Sequence, residues 1–266
     1  MNTGQISHPF IFELKNVTKT YDSVQVLPPV NLLIPSEQTT VLIGPSGCGK
    51  STLLRLMIGL LEPDTGHILF EGIEITQENI PLLRQRMGYV IQNGGIFPHL
   101  TAQKNVTLMA QYLGWERPRI EERLLELAKL TQFPRDGFNR FPAQLSGGQQ
   151  QRIALMRALM LDPDVLLLDE PLGALDPVIR SDLQNDLKQI FHSLGKSVVL
   201  ITHDIQEAAF LGHQIVLLRA GHVIQQGTIH ELISAPTDPF VTRFVKTYRG
   251  PLETLETLEI SKGGDI

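Results

Sequence analysis

Eight consecutive residues, Gly44-Pro45-Ser46-Gly47-Cys48-Gly49-Lys50-Ser51, have the types and spacing of a phosphate cradle. They match G-x-x-x-x-G-K-S, with a β-branched run before them and a helical pattern after. Gly44, Gly47 and Gly49 let the backbone wrap an anion with its N–H groups, and the N-terminus of the following helix adds its dipole. Lys50 supplies positive charge to the β- and γ-phosphates of a nucleoside triphosphate. Ser51 offers a hydroxyl oxygen to Mg²⁺, and Thr52 adds a phosphate contact. Cys48 fills a free position of the loop and reads as a tolerated small residue.

A second glycine turn, Leu145-Ser146-Gly147-Gly148-Gln149, also opens a helical pattern and aims N–H groups outward. It has no lysine and no following hydroxyl. One complete site and one spare lid on the same chain suggest that two chains complete each other's sites. Between the two turns in chemistry lies an acid pair. Val165-Leu166-Leu167-Leu168 is an apolar run ending in Asp169-Glu170 and stopped by Pro171. Two acids at a buried strand end are costly unless a cation or hydrogen bonds meet them. Asp169 is placed to hold Mg²⁺ through water, and Glu170 to polarise an attacking water as general base.

The elements that must position these groups follow from periodicity. Residues 11–43 read as strands, with Thr39-Thr40-Val41-Leu42-Ile43 fit for a buried parallel strand that feeds the first loop. Leu53, Leu54, Leu56, Met57 and Leu60 have helical spacing that ends near Gly59. Val90-Ile91 reads as a strand end. From about 97 to 160 helical patterns dominate, which implies a helical subdomain inserted into the core. Strands resume at Val165–Leu168, Val198–Ile201 and Ile215–Leu218, with a helix over about 177–193 between the first two. Strand–helix alternation predicts an α/β fold with a mostly parallel sheet covered by helices.

The chain has 266 residues, 42% hydrophobic and 19% charged, enough for a full core. Its net charge is −5, with no basic footprint for nucleic acid. The single cysteine excludes an internal disulfide and fits a reducing compartment. The first ten residues lack the pattern of a signal peptide, and no run of 18 apolar residues exists. The expected place is therefore the cytoplasm, with any membrane link made through a partner. Residues 250–266 are acidic and threonine-rich and read as a tail.

Together the two glycine turns and the acid pair make the chain resemble the ATP-binding subunit of ABC transporters. Leu145–Gln149, followed by Gln150-Gln151-Arg152, matches that family's signature sequence. The resemblance implies a P-loop NTPase core with an N-terminal antiparallel β subdomain and an inserted helical subdomain. It implies one ATPase domain over 11–245, with the helical part at about 97–160 and a tail at 246–266. It places Tyr21 against adenine, and Gln92 against Mg²⁺ and the attacking water. His203, in Thr202-His203-Asp204, falls on the γ-phosphate. Asp176, in Ala174-Leu175-Asp176, falls on the opposite chain at a dimer interface, and before Pro177 it also suits a helix N-cap. Two chains would pack head to tail, with Ser146, Gly147, Gly148 and Gln149 of one facing Lys50 and Ser51 of the other across ATP. The implied partners are integral-membrane permease subunits and, indirectly, a solute-binding protein; no nucleic acid is involved. The implied place is the cytoplasmic face of the cell membrane.

Within the family, Gly88-Tyr89-Val90-Ile91-Gln92-Asn93-Gly94-Gly95-Ile96-Phe97-Pro98-His99-Leu100-Thr101 is similar to subunits of bacterial importers for quaternary-amine osmoprotectants: glycine betaine, carnitine, choline. Arg140–Gln144 and the stretch from Gln226 to Val241 point the same way. Polar amino-acid importers share much of this pattern and remain the alternative, ahead of an exporter or a soluble ABC-type ATPase. Many osmoprotectant subunits carry a C-terminal regulatory domain, for which the sequence to residue 266 shows no room. Phe97 beside Gln92 suggests a groove that receives a short permease helix, with internal packing as the competing reading.

Overall fold

The computed structural model describes residues 8–248 except 93, 174 and 175. Two sheets divide its strands. A long hairpin starts the first: β1 (Phe10–Tyr21) and β2 (Val24–Pro35) pair antiparallel from Phe10↔Pro35 to Tyr21↔Val24. Asp22 and Ser23 at its tip both take positive φ, 46° and 68°, as a two-residue turn matched to strand twist requires. The chain then enters the second sheet as β3 (Thr39–Ile43), runs through the first glycine loop and forms α1 (Lys50–Met57). It returns to the first sheet as β4 (Thr65–Phe70) and β5 (Ile73–Glu74), giving the order β2-β1-β4-β5.

The rest of the chain completes the second sheet and its cover. A short α2 (Ile80–Leu83) leads to β6 (Met87–Val90). Three helices follow, α3 (Ala102–Tyr112), α4 (Arg117–Leu130) and α5 (Gly147–Leu159). Then come β7 (Val165–Asp169), α6 (Pro177–Leu194), β8 (Ser197–Ile201) and α7 (Ile205–Leu211). The chain closes through β9 (Gln214–Arg219), β10 (His222–Gly227), α8 (Ile229–Ser234) and α9 (Pro239–Tyr248). The six-stranded order is β10-β9-β3-β8-β7-β6. Every neighbouring pair in it is parallel except β9 with β10.

The central strands are buried on both faces, which is why they read as unbroken apolar runs. Val41, Leu166, Leu168, Val198 and Leu200 face a core shared with α3, α4 and α5. Leu42, Val165, Leu167, Val199 and Ile201 face the opposite way, into a second core. In that second core, Leu53, Leu54, Leu56 and Met57 of α1 meet Phe12 and Ile34 of the antiparallel sheet. The helix behind the glycine loop is therefore clamped between two sheets. Each buried leucine there contributes about 1.5–3 kcal/mol, and Leu53→Ala would cost about 2–5 kcal/mol.

This topology converges the chemistry. The first glycine loop leaves the carboxyl end of β3, Glu170 that of β7, His203 lies just beyond β8 and Gln92 just beyond β6. These four strands are adjacent and parallel, so their exits share one rim, where open parallel sheets bind ligands.

The mostly parallel sheet, the antiparallel β subdomain and the helical stretch match the sequence expectation. Helices over 102–159 share one apolar core with the sheet rather than forming a separate one. At the C-terminal side, α9 carries on through Tyr248, so residues 246–248 are helical and the boundary expected at 245 falls inside an element. The remainder of the expected tail lies outside the described residues. Among the described residues no helix is long and apolar enough to cross a membrane.

Candidate nucleotide-binding site

The first loop is a cradle built from left-handed glycines. Gly44, Gly47 and Gly49 have φ of 149°, 77° and 102°. A Cβ on Gly44 would stand 2.2 Å from the Leu218 carbonyl oxygen, and one on Gly49 would stand 2.6 Å from Leu27. At Gly47 the space is open. Pro45 accepts the Cys48 N–H at 3.3 Å, closing the turn, while Ser46 and Gly47 are exposed. Gly49 caps α1 with no side-chain hydrogen bond, so the N–H groups of Lys50, Ser51 and Thr52 meet no side-chain acceptor from the cap. That is the state of a helix start that can receive an anion. The Lys50 ammonium is buried and donates to the carbonyls of Gly44 at 2.9 Å and Pro45 at 3.1 Å, so it is held inside the cradle.

The acid pair arrives from β7. Ser51 Oγ donates to Asp169 Oδ1 at 3.1 Å. Asp169 is 3% exposed, and burial raises its carboxyl pKa above the usual range, against the lowering pull of the Ser51 hydroxyl, Arg55 and Lys50. A buried carboxylate beside a hydroxyl fits a divalent cation. Among the described residues no group of three or more His, Cys, Asp or Glu side chains could hold a metal alone. A cation here would take most of its oxygens from phosphate and water, which is the habit of Mg²⁺.

Glu170 has φ of +46°, a left-handed conformation unusual for glutamate. Its N–H donates to the Ile201 carbonyl at 3.1 Å, and its carbonyl accepts the Gly173 N–H at 3.2 Å. Strain of this kind costs about 1–3 kcal/mol and gathers at functional sites. The result is that Oε2 of Glu170 meets two other predicted residues: Gln92 Nε2 donates to it at 3.2 Å, and His203 Nδ1 lies 3.7 Å away. Gln92 and His203 are both exposed on the rim. Thus Lys50, Ser51, Asp169, Glu170, Gln92 and His203 lie in one connected constellation.

Two supports were not read from the sequence. Behind His203, buried Glu207 accepts the Thr202 hydroxyl at 2.5 Å, and Thr202 Oγ1 accepts the Asp204 N–H at 3.0 Å, fixing the turn that carries the histidine. Burial raises the Glu207 carboxyl pKa. The signal was Thr202 with an acid five residues on, one turn into a helix. Arg55 shares a helix face with Ser51, four residues earlier, and pulls the Asp169 pKa down.

The second turn is built differently and has other neighbours. Ser146 caps α5: its Oγ accepts the Gln149 N–H at 3.3 Å, and Gln149 Oε1 accepts the Ser146 N–H at 3.0 Å. Ser146, Gly148 and Gln149 line a cavity of about 270 Å³ with Asp182 and Leu183 of α6. None of the described hydrogen bonds of this turn reaches the first constellation. Asp176 caps α6, accepting the Ile179 N–H at 3.1 Å; Ala174 and Leu175 lie outside the described residues, as does Asn93. Tyr21 is 39% exposed at the hairpin tip, paired with Val24, while the nearby Val26 carbonyl comes within 3.5 Å of a Cβ placed on Gly49. That sets the hairpin tip beside the first loop.

A glycine loop between a parallel strand and a helix, with an acid pair at the end of β7, one strand removed from β3 across β8, defines an α/β P-loop nucleotide-binding fold. The chain belongs to the ABC transporter family, whose pattern matches residues 27–173. It is 42% identical over 233 residues to the choline transport ATP-binding protein OpuBA of Bacillus subtilis, covering 87% of this chain and 61% of that protein. It is 43% identical over 234 residues to the glycine betaine uptake system ATP-binding protein YehX of Escherichia coli, covering 88% and 76%. A probable sulfate/thiosulfate import ATP-binding protein CysA of Chlorella vulgaris is 44% identical over 232 residues, covering 87% and 97%. The chain thus spans about 61% of the length of the choline relative. Among solved structures, a dimeric post-hydrolysis state of the ATP-binding cassette MJ0796 bound to ADP and Pi superposes with a TM-score of 0.74 and 36% identity, covering 82% of this chain and 98% of that one.

Proposed function

We propose that this chain is the ATP-hydrolysing subunit of an ABC importer. The carrying observation is the Glu170 carboxylate oxygen shared with Gln92 and His203, one residue from the Ser51–Asp169 pair. In this reading the loop from Gly44 to Thr52 binds the phosphates of ATP, and Tyr21 stacks on adenine. Ser51, Asp169 and Gln92 would hold Mg²⁺, which would supply charge neutralisation at the phosphates. Glu170 orients and deprotonates water, Gln92 fixes that water's position, and His203 contacts the γ-phosphate. Ser146, Gly147, Gly148 and Gln149, together with Asp176, serve the site of a second copy packed head to tail. The likeness to a dimeric cassette bound to ADP and Pi supports that arrangement.

Membrane permease subunits are the proposed partners, with a solute-binding protein acting through them at the outer side of the cell membrane. Phe97, five residues after Gln92, is 40% exposed, and the buried Asn105 side chain grips its backbone, accepting its N–H at 2.7 Å. An exposed aromatic ring on a fixed backbone suits a permease contact. Phe97→Ala is expected to uncouple transport while the isolated chain keeps its ATPase; equal loss of both would remove Phe97 from that role.

The proposed solutes are quaternary-amine osmoprotectants, supported by the choline and glycine betaine relatives. An oxyanion such as sulfate is the second reading, favoured by the sulfate relative at comparable identity and by this chain covering 97% of it. The deciding experiment is uptake of labelled glycine betaine and of labelled sulfate at high osmolarity in cells lacking this chain, restored with the parent or with Glu170→Gln. Glycine betaine uptake that needs the parent and fails with Glu170→Gln supports the first reading. Selective loss of sulfate uptake would replace it with the second.

A further inference from the structure

Arg157 stands in the last turn of α5 and has no part in the constellation above. Its guanidinium donates through Nη1 to the Gly95 carbonyl and through Nη2 to the Gly94 carbonyl, both at 2.9 Å. The Phe97 ring lies over the same group, 5.6 Å from its centroid. Among the described residues no carboxylate pairs with it, and burial alone shifts its pKa, downward. An arginine left without a counter-ion in a half-buried place is costly. Its planar fork is spent instead on two consecutive backbone carbonyls, a geometry that lysine does not reproduce.

Those carbonyls belong to the turn that carries Gln92. The Gly94 N–H donates to the Ile91 carbonyl at 2.9 Å, closing a turn with Gln92 inside it. Gly94 and Gly95 have φ of 72° and 53°, so two successive left-handed residues swing their carbonyls toward α5. A Cβ on Gly95 would stand 2.1 Å from Ile91, and one on Gly94 would touch Ala154 of α5 at 3.4 Å. The turn is therefore shaped to lie on that helix. The opposite end of α5 begins with the Ser146–Gln149 turn, about 16 Å away at 1.5 Å per residue.

We propose that Arg157 is a positioning residue for the reaction: it ties the Gln92 turn to α5, so that the helix opening with the second glycine turn and the side chain touching Glu170 move as one body. A displacement of Ser146–Gln149 when a second copy engages is then carried along a 13-residue helix to Gln92, without passing through the sheet. The proposal rests on the reading of Gln92 as the group that places the attacking water.

The test is a double-mutant cycle on the purified full chain with Arg157→Met, Gln92→Ala and the pair. Methionine keeps the apolar volume of the arginine stem without the charge, so a similar melting temperature is expected. Loss of the clamp should lower kcat about tenfold to a hundredfold, as small misplacements do, with KM for ATP within about twofold of the parent by the same argument. In the Gln92→Ala background the further loss from Arg157→Met should shrink to less than about twofold, because coupled residues are non-additive. Full additivity, or an unchanged kcat in Arg157→Met, would overturn the proposal. If Gln92→Ala alone leaves kcat intact, the reading of Gln92 fails and Arg157 has nothing to position. If Gln92→Ala lowers kcat and Arg157→Met does not, only the present proposal fails. Should Arg157→Met fold poorly, Arg157→Lys replaces it in the cycle, with a smaller kcat loss and the same non-additivity expected.

Discussion

The two glycine turns of this chain open helices of different readiness. At α1 the cap is a left-handed glycine, no side chain covers the first N–H groups, and a buried lysine waits inside the loop. At α5 a serine and a glutamine already satisfy each other's backbone in a capping box, and its glycines follow in helical conformation. The first helix start gains more from an anion, because its donors have no competitor nearby. The second is stable without one and exchanges a local bond when an anion arrives. One polypeptide thus holds an open cradle and a self-capped lid, as expected if the lid serves a partner's ligand and must not bind alone.

The largest expected effect isolates the chemistry on one side. Glu170→Gln should lower ATP turnover by about 10²-fold or more while equilibrium dialysis still shows ATP bound and light scattering shows a dimer that persists with ATP. Undiminished turnover would separate the open cradle from its base. Next come paired glycine substitutions. Gly49→Ala forces a side chain to φ +102° and against Leu27, so it should destabilise by about 1–3 kcal/mol. Gly148→Ala sits at a helical position and meets only the Ile179 methyl at 2.9 Å, so chemical denaturation should show a change within about 1 kcal/mol, while ATPase activity falls. Equal destabilisation by both would erase the contrast between the turns.

Ser146→Ala removes the cap of α5 and should cost about 1 kcal/mol of stability. Nucleotide binding by the isolated chain should stay at the parent's affinity; weakened binding would mean that the second turn reaches its own chain's site. The smallest effect concerns Asp169. Burial raises its carboxyl pKa, so the stability it contributes is full below the unfolded value and is lost as pH rises through the folded one. Asp169→Asn escapes that loss and keeps an acceptor for Ser51. In metal-free buffer its melting temperature should match the parent near pH 4 and exceed it by about 2–4 °C near pH 8. A gap that does not change with pH would show that the carboxyl is not strained by burial.

How legible each turn was in the sequence follows from the same contrast. The open cradle could be read residue by residue, because strand, loop, lysine, hydroxyl and helix are contiguous. The capped state of the other is written in Ser146-x-x-Gln149, a pattern that marks a capping box, and a serine cap is the competing reading of a turn whose glycines point to an anion. Gln92, Glu170 and His203 lie in three separate loops, and nothing local brings them together. Their meeting depends on the parallel order β8-β7-β6, so only family resemblance pointed to it. The left-handed backbone of Glu170 and the grip of Arg157 on Gly94 and Gly95 had no spacing signal, since both arise from tertiary packing. Among the strands, β4, β5 and β10 went unread because they are short or edge-placed and carry polar or glycine residues.

Cys48 adds a consequence of a practical kind. Its thiol is buried at the floor of the cradle, 3.9 Å from the Lys50 ammonium, and burial raises its pKa. A protonated, covered thiol is slow to alkylate. As the chain's only cysteine, it needs no competitor removed before labelling. The rate at which a maleimide reacts there becomes a clock for how often the loop breathes, and any ligand that tightens the loop should slow that clock in proportion to its occupancy.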